Sequence, residues 1–262
     1  MTSSDKSTLG ILGTGHLATY TVTGLRTSND TRRIIVSPRN AIRAQSLKHN
    51  FGCEVAANNQ AVIDNSEIVL LAVRPWQTAE LLAGLVFPSN KTVVSAIAGV
   101  NLGQLREMAE LPDQLALILP VVAAENAQGF VPIYPALDAV KCLASSLGEP
   151  IAFEQECQFA ATATMACLHG WLYRFFDEQV NWLTGQGIDA QAARKIVLHN
   201  TLGAAHYALG RPDQDLKELA SEIARDGTFT KIGLDQLEGQ GAFTQWSDAL
   251  DTLKKKFDAE AS

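Results

Sequence analysis

Hydrophobic positions in the first 150 residues cluster in short, unbroken runs. Residues 8–12, 33–37, 54–56, 68–73, 92–96 and 115–119 are rich in Val, Ile and Leu and lack a polar residue at every second position. Runs of this kind predict strands buried on both faces. Between them, residues 17–26, 41–50, 59–65, 77–85 and 102–108 read as helices. Strand and helix alternating at this pitch predict βαβ units and an α/β fold with a Rossmann-type, doubly wound parallel sheet.

The pattern changes after Pro150. No strand is predicted between Glu156 and Lys256, and helices are expected over 158–183, 190–209, 215–223, 231–238 and 244–257. Gly187-Ile188-Asp189 reads as a helix-ending Gly followed by an N-cap Asp. The expected division is a dinucleotide-binding domain over 1–152 and an all-α dimerisation and substrate domain over 153–262. The first long helix is apolar on several faces, and about 110 residues make only a thin bundle. Pairing with a second copy would bury those faces, so a homodimer or higher homo-oligomer is expected through this half. No repeat or low-complexity linker interrupts the chain.

Composition narrows the function. Apolar residues make up 47% and charged residues 19% of 262, enough for packed cores. The net charge of −7, from 21 basic and 28 acidic residues, offers no basic excess for nucleic acid. Lys254-Lys255-Lys256, the one dense basic run, reads as a solvated helix face. The longest apolar stretch, 115–124, contains Pro120 and is far short of the ~20 residues a membrane span needs. The start, 1–7, has no apolar signal core. Four cysteines without a C-x-x-C pair and five histidines without H-E-x-x-H argue against a disulfide scaffold or a metal site. A cytoplasmic protein with a small-molecule substrate is the expectation.

The chemistry begins at Gly10-Ile11-Leu12-Gly13-Thr14-Gly15-His16-Leu17-Ala18, which follows the first strand and opens the first helix. It fits G-x-G-x-x-A. Gly13 makes the tight turn, Gly15 lets a pyrophosphate approach the backbone, and Ala18 permits close helix–strand packing. The diphosphate would meet free N–H groups at the positive end of the helix. At the end of the second strand, Ile35-Val36-Ser37-Pro38-Arg39-Asn40 has no carboxylate for a ribose 2′-hydroxyl. The Ser37 hydroxyl and the Arg39 fork suit a 2′-phosphate, so NADP(H) is preferred, with NAD(H) possible. A solvated residue at a helix start is the alternative for Arg39.

These residues, with the helical second half, resemble the pyrroline-5-carboxylate reductase family over about residues 9–238. The clearest pieces are Gly13 to Ala18, Leu71-Ala72-Val73-Arg74-Pro75, Ala98-Gly99-Val100, Gly187-Ile188 and Thr201-Leu202-Gly203-Ala204-Ala205. The resemblance implies a Rossmann domain followed by a helical domain that interlocks two subunits. It also implies reduction of an imine in amino-acid metabolism, as in proline biosynthesis. By position it puts Ser37, Pro38 and Arg39 at the 2′-phosphate and Asn59 near the adenosine. Ala72, Val73, Arg74, Pro75 and Ala98 fall around the nicotinamide riboside. Arg74 stands where the family often has Lys. Leu119-Pro120-Val121-Val122-Ala123-Ala124 replaces the family's Met-Pro-Asn-Thr-Pro-Ala, and Ala166-Cys167-Leu168-His169-Gly170 replaces Gly-Ser-Gly-Pro-Ala. The substrate-carboxylate loop Ser-Pro-Gly-Gly-Thr-Thr becomes Arg225-Asp226-Gly227-Thr228-Phe229-Thr230, keeping Gly227 and the last Thr.

The resemblance therefore implies Thr230 as the group that hydrogen-bonds or protonates the imine nitrogen. A helix N-cap is the alternative for it. Arg225, with Asp226, Gly227 and Thr228, falls in the substrate loop, where the guanidinium could grip a carboxylate or simply pair with Asp226 or Glu222. His169, with Tyr173 one turn on, could be a general acid–base or a core histidine. His199 and His206, seven residues apart, read as bundle or surface residues. Trp171, Tyr173, Phe175 and Phe176 read as core or subunit contacts rather than an aromatic cage. Two further functions stay open: dehydrogenation of a small hydroxy acid or amine with His169 as acid–base, and a non-catalytic NADP(H)-binding regulator.

Overall fold

A computed structural model describes residues 7–260. Residues 1–6, most of the segment read above for a signal core, lie outside the described residues. The described chain divides into two compact units: one runs to Ala163 and takes in the chain from Phe257, and the other is Thr164–Lys256.

The first unit is built on one eight-stranded sheet. Its strands are β1 (Leu9–Leu12), β2 (Ile34–Val36), β3 (Glu54–Val55), β4 (Ile68–Leu71), β5 (Thr92–Ser95), β6 (Leu115–Ile118), β7 (Phe130–Tyr134) and β8 (Glu149–Ala152). The order is β3-β2-β1-β4-β5-β6-β7-β8. The first six strands are parallel in the Rossmann order, which is the doubly wound sheet the apolar runs predicted. Helices α1 (His16–Thr27), α2 (Ala41–Phe51), α3 (Asn59–Asp64), α4 (Thr78–Leu82), α5 (Leu102–Met108) and α6 (Asp138–Ser145) lie among the strands in the sequence. Side chains alternate across the pleat and fill two cores. Leu9, Ile11, Val36 and Leu70 pack with Val22 and Leu25 of α1 and Leu47 of α2. Leu12, Val69 and Leu71 pack with Ile63 of α3, Leu82 of α4 and Leu105 of α5. With apolar partners on both faces, strands of only two to five residues suffice.

β7, α6 and β8 extend the sheet beyond the six strands read from the sequence. β7 runs antiparallel to β6, and β8 is parallel to β7. Pro132 and Pro150 hide these strands, because proline within a run argues against a paired strand. Pro132 is tolerated because the β6–β7 ladder stops at Ile118 and Ile133; its carbonyl still accepts from the Leu119 N–H at 3.1 Å. Pro150 sits in an edge strand. The extension is anchored to the older part of the sheet. Ser146 Oγ donates to Asp30 Oδ2 at 2.8 Å, and Asp30 holds Arg32 in a buried bidentate pair with a closest approach of 2.7 Å.

The second unit contains most of α7 (Glu156–Gly185), α8 (Ala190–Leu209), α9 (Leu216–Ile223), α10 (Phe229–Gly239) and most of α11 (Ala242–Glu260). Asp189 caps α8, accepting from the N–H groups of Gln191 and Ala192, as its sequence signature predicted. Trp246 packs edge-on against Trp171 and Phe175. Few side chains are buried here: Thr164, Ala193, Val197, Leu219 and Ala224. Trp182 is 65% exposed, Leu209 77% and Phe229 93%, so this unit does not cover its own apolar surface. Among the described residues no helix is long and apolar enough to cross a membrane, and no group of His, Cys, Asp or Glu could hold a metal ion.

Candidate active site

In the first unit the site starts where β1 ends. Gly13 has φ +102°, and a Cβ there would stand 2.6 Å from the Ala72 carbonyl oxygen, so only glycine fits. Its N–H donates to the buried Ser37 hydroxyl at 3.0 Å, tying the turn after β1 to the end of β2. Gly15 precedes α1 and offers no side-chain cap, and the first turn of α1 carries no acidic residue. The N–H groups at that end remain available to an anion.

Gly15 differs from Gly13. Its φ of −84° suits any residue, and a Cβ would meet nothing closer than Ala72 O at 3.9 Å. Neither backbone geometry nor protein packing calls for glycine here, whereas a diphosphate lying on the backbone would. Thr14 Oγ1 is buried without a hydrogen-bond partner among the described residues, which an incoming phosphate oxygen would satisfy. The turn therefore fits a dinucleotide.

Around it, His16 is exposed at the start of α1 and Leu17 and Pro38 are half-buried. Arg39 is exposed, and its guanidinium pairs with Glu80 at 3.1 Å. Asn59 opens α3 and is half-buried. Ala72 is buried at the end of β4 beside half-buried Val73 and exposed Arg74, which stacks over Trp76 at 5.7 Å. Pro75 starts a 3-10 turn, Pro75–Gln77, so the helix expected over 77–85 is shortened to Thr78–Leu82. Burial raises the Tyr20 phenol above its ordinary range, partly opposed by the Arg74 cation. Ala98 lines a cavity of about 90 Å³ at the ends of β5 and β6, together with Gly99, Leu119, Phe159, Phe257 and Glu156. Glu156 Oε1 accepts from the Leu102 N–H at 2.7 Å, holding the start of α7 to the start of α5.

The second unit gathers the residues expected at the substrate. Arg225, Asp226, Gly227 and Thr228 form the turn before α10, and Thr230 is the second residue of that helix. The N-cap is Thr228: its hydroxyl accepts from the Lys231 N–H at 3.2 Å and donates to the Arg225 carbonyl at 2.7 Å. This corrects the N-cap alternative for Thr230, whose hydroxyl makes no hydrogen bond among the described residues. The salt-bridge alternative for Arg225 is also not met. Its side chain has no carboxylate partner among the described residues, and Glu222 instead takes Gln214 at 2.7 Å. On α7, His169 is half-buried with its ring 6.4 Å from that of Tyr173, which is 58% exposed. The His169 Nδ1 lies 3.4 Å from the Ala166 carbonyl, consistent with a donor Nδ1–H. The exposed His199 and His206 meet no third ligand among the described residues.

Residues 8–99 match a family model described as NADP oxidoreductase, coenzyme F420-dependent, and residues 156–259 match one described as pyrroline-5-carboxylate reductase dimerisation. A pyrroline-5-carboxylate reductase of Pasteurella multocida is 27% identical over 244 residues, covering 87% of this chain and 88% of that one. The chain belongs to the pyrroline-5-carboxylate reductase family. Among solved structures, the 1-pyrroline-5-carboxylate reductase of Streptococcus pyogenes has the same fold, with TM-score 0.84 at 23% identity over 98% of this chain and all of that one. The Plasmodium falciparum pyrroline carboxylate reductase with NADP bound also matches, with TM-score 0.84 at 19% identity, covering 99% of this chain and 100% of that one.

Two features escaped the reading of this family member's sequence. One is Arg43, whose guanidinium reaches His16 Nε2 at 3.0 Å and so stands beside the glycine turn. Its place in the first turn of α2, just after the end of β2, was the available signal. The other is Glu156, whose contact with Leu102 spans 54 residues, so that no local pattern marks it.

Proposed function

We propose that the protein is an NAD(P)H-dependent oxidoreductase that reduces the C=N bond of a small cyclic imine or imino acid, of the pyrroline-5-carboxylate type. The observation that carries this reading is the Thr230 hydroxyl, without a hydrogen bond among the described residues in the first turn of α10, which follows a turn carrying Arg225, whose guanidinium has no carboxylate partner among them. A hydroxyl donor and a free arginine are the groups an imino acid requires for its nitrogen and its carboxylate. The relatives named for pyrroline-5-carboxylate reduction support the same class.

When bound, NAD(P)H supplies a hydride to the imine carbon. The amides after Gly13, the Thr14 hydroxyl and the open backbone at Gly15 would hold its diphosphate. Ala72, Val73, Arg74, Pro75 and Ala98 would flank the nicotinamide riboside, and Ser37, Pro38 and Asn59 the adenosine half. A protonated imine is already electrophilic, so the protein's task is orientation: Thr230 hydrogen-bonds the nitrogen and Arg225 fixes the carboxylate. Residues 34–40 supply no Asp or Glu for a ribose 2′-hydroxyl, while Arg39 and Arg43 follow β2, which favours NADP(H) over NAD(H). The exposed apolar side chains of the helical unit, Trp182, Leu209 and Phe229 among them, fit a homodimer formed through it.

His169 and Tyr173 on one helix face favour a second reading, dehydrogenation of a hydroxy acid or amine. Absorbance at 340 nm separates the readings across a panel of cyclic imines, keto acids, hydroxy acids and amines. Turnover of cyclic imines that survives His169→Ala supports imine reduction. Turnover confined to hydroxy acids or amines, and abolished by His169→Ala, replaces it with the second reading. Coenzyme binding with no turnover of any panel member would point to a regulator.

A further inference from the structure

We propose that Arg43, rather than Arg39, is the residue that selects for a 2′-phosphate on the coenzyme. The inference rests on the coenzyme reading above and deepens it. Arg39 has the more obvious position, two residues beyond Ser37, but its charge is already answered. Its guanidinium lies 3.1 Å from one oxygen of Glu80 and 3.4 Å from the other. A phosphate approaching Arg39 meets a carboxylate at the same place, and the two anions repel.

Arg43 has no such partner. Its guanidinium contacts the His16 ring at 3.0 Å and no carboxylate among the described residues. A guanidinium only donates, so His16 Nε2 is the acceptor in this contact, and no anion among the described residues answers the Arg43 charge. Its placement suits a phosphate on the adenosine half. Arg43 sits in the first turn of α2, where its N–H donates to Asn40 Oδ1 at 3.2 Å. That turn follows the carboxyl end of β2, the side of a doubly wound sheet on which ligands bind. His16 is the first residue of α1, directly after the glycine turn. One guanidinium thus spans the gap between the end of β2 and the diphosphate turn. The planar fork can meet two phosphate oxygens at once, which a neutral ribose hydroxyl cannot match.

Arg43→Met, at a half-buried position, and Arg39→Met, at an exposed one, test the assignment by titration calorimetry with NADPH and NADH against the unliganded proteins, whose melting temperatures report folding. Arg43→Met should weaken NADPH binding about tenfold or more, as expected for a lost charged hydrogen-bond pair, and leave NADH within about twofold. Arg39→Met should change NADPH binding by less than about threefold. A larger loss for Arg39→Met overturns the assignment, and so does an equal loss of both coenzymes in Arg43→Met, which would put Arg43 on the diphosphate. Unchanged NADPH binding in Arg43→Met overturns it too. If the parent protein binds neither coenzyme, the coenzyme reading itself fails, and this assignment fails with it.

Discussion

The backbone N–H of Gly13 donates to the hydroxyl of Ser37 across 24 residues, at 3.0 Å. One bond thereby fixes the distance between the turn that would take a diphosphate and the strand end that would take the adenosine ribose. Ser37→Ala leaves the half-buried Gly13 N–H without its partner, which costs about 1 kcal/mol. A lower melting temperature and weaker binding of both NADH and NADPH are expected. Retention of full affinity for both would show that this bond does not set the shape of the turn.

Gly13 and Gly15 should answer alanine in opposite ways. Gly13→Ala places a Cβ 2.6 Å from a backbone oxygen at a positive φ and should destabilise the fold strongly. Gly15→Ala meets open space at an ordinary φ, so melting should stay close to that of the parent while coenzyme binding is lost. Melting curves with and without NADPH separate the two effects.

Thr228 holds the structural role before α10, and Thr230, two residues on, is the one proposed for the chemistry. Thr228→Val removes the α10 N-cap and should cost about 0.5–2 kcal/mol. Thr230→Val should leave melting unchanged and lower kcat with imine substrates. Normal turnover in Thr230→Val would remove the nitrogen-binding role from this residue.

Asp30 and Arg32 form a buried pair whose loss should be severe. Asp30→Ala strands the Arg32 charge and releases Ser146 from the loop after α1, at an expected cost of about 3–5 kcal/mol. Replacing both partners together, Asp30→Leu with Arg32→Met, should recover much of that loss. Chemical denaturation of the two variants reads the difference directly.

Burial pushes the Cys53 thiol up to about 11, against roughly 8.5 in an unfolded chain. Between those values the folded state holds a proton that the unfolded state has released, so stability falls as pH rises from about 9 to 11. The loss reaches about 3 kcal/mol above that window. Cys53→Ala should flatten this part of the profile. An unchanged slope in the variant would assign the alkaline loss to other groups.

The linear order of residues was enough to determine the first six strands, their parallel sheet, the glycine turn, the Asp189 cap and the helical second half. These features depend on neighbours close along the chain: unbroken apolar runs, helix signals and φ-tolerant glycines. β7 and β8 were hidden because Pro132 and Pro150 look like strand breakers until the end of a ladder or a sheet edge removes the need for their N–H. Tertiary structure alone decided how the cations at the end of β2 are occupied. Glu80 stands 41 residues from Arg39, and His16 stands 27 from Arg43. Which arginine stays free of a counter-anion is a matter of which side chains converge in space, and periodicity along the chain carries no record of that. The same holds for Thr230: either Thr228 or Thr230 could have capped α10, and only the backbone path through Gly227 and Thr228 assigned the cap to one and left the other hydroxyl unspent.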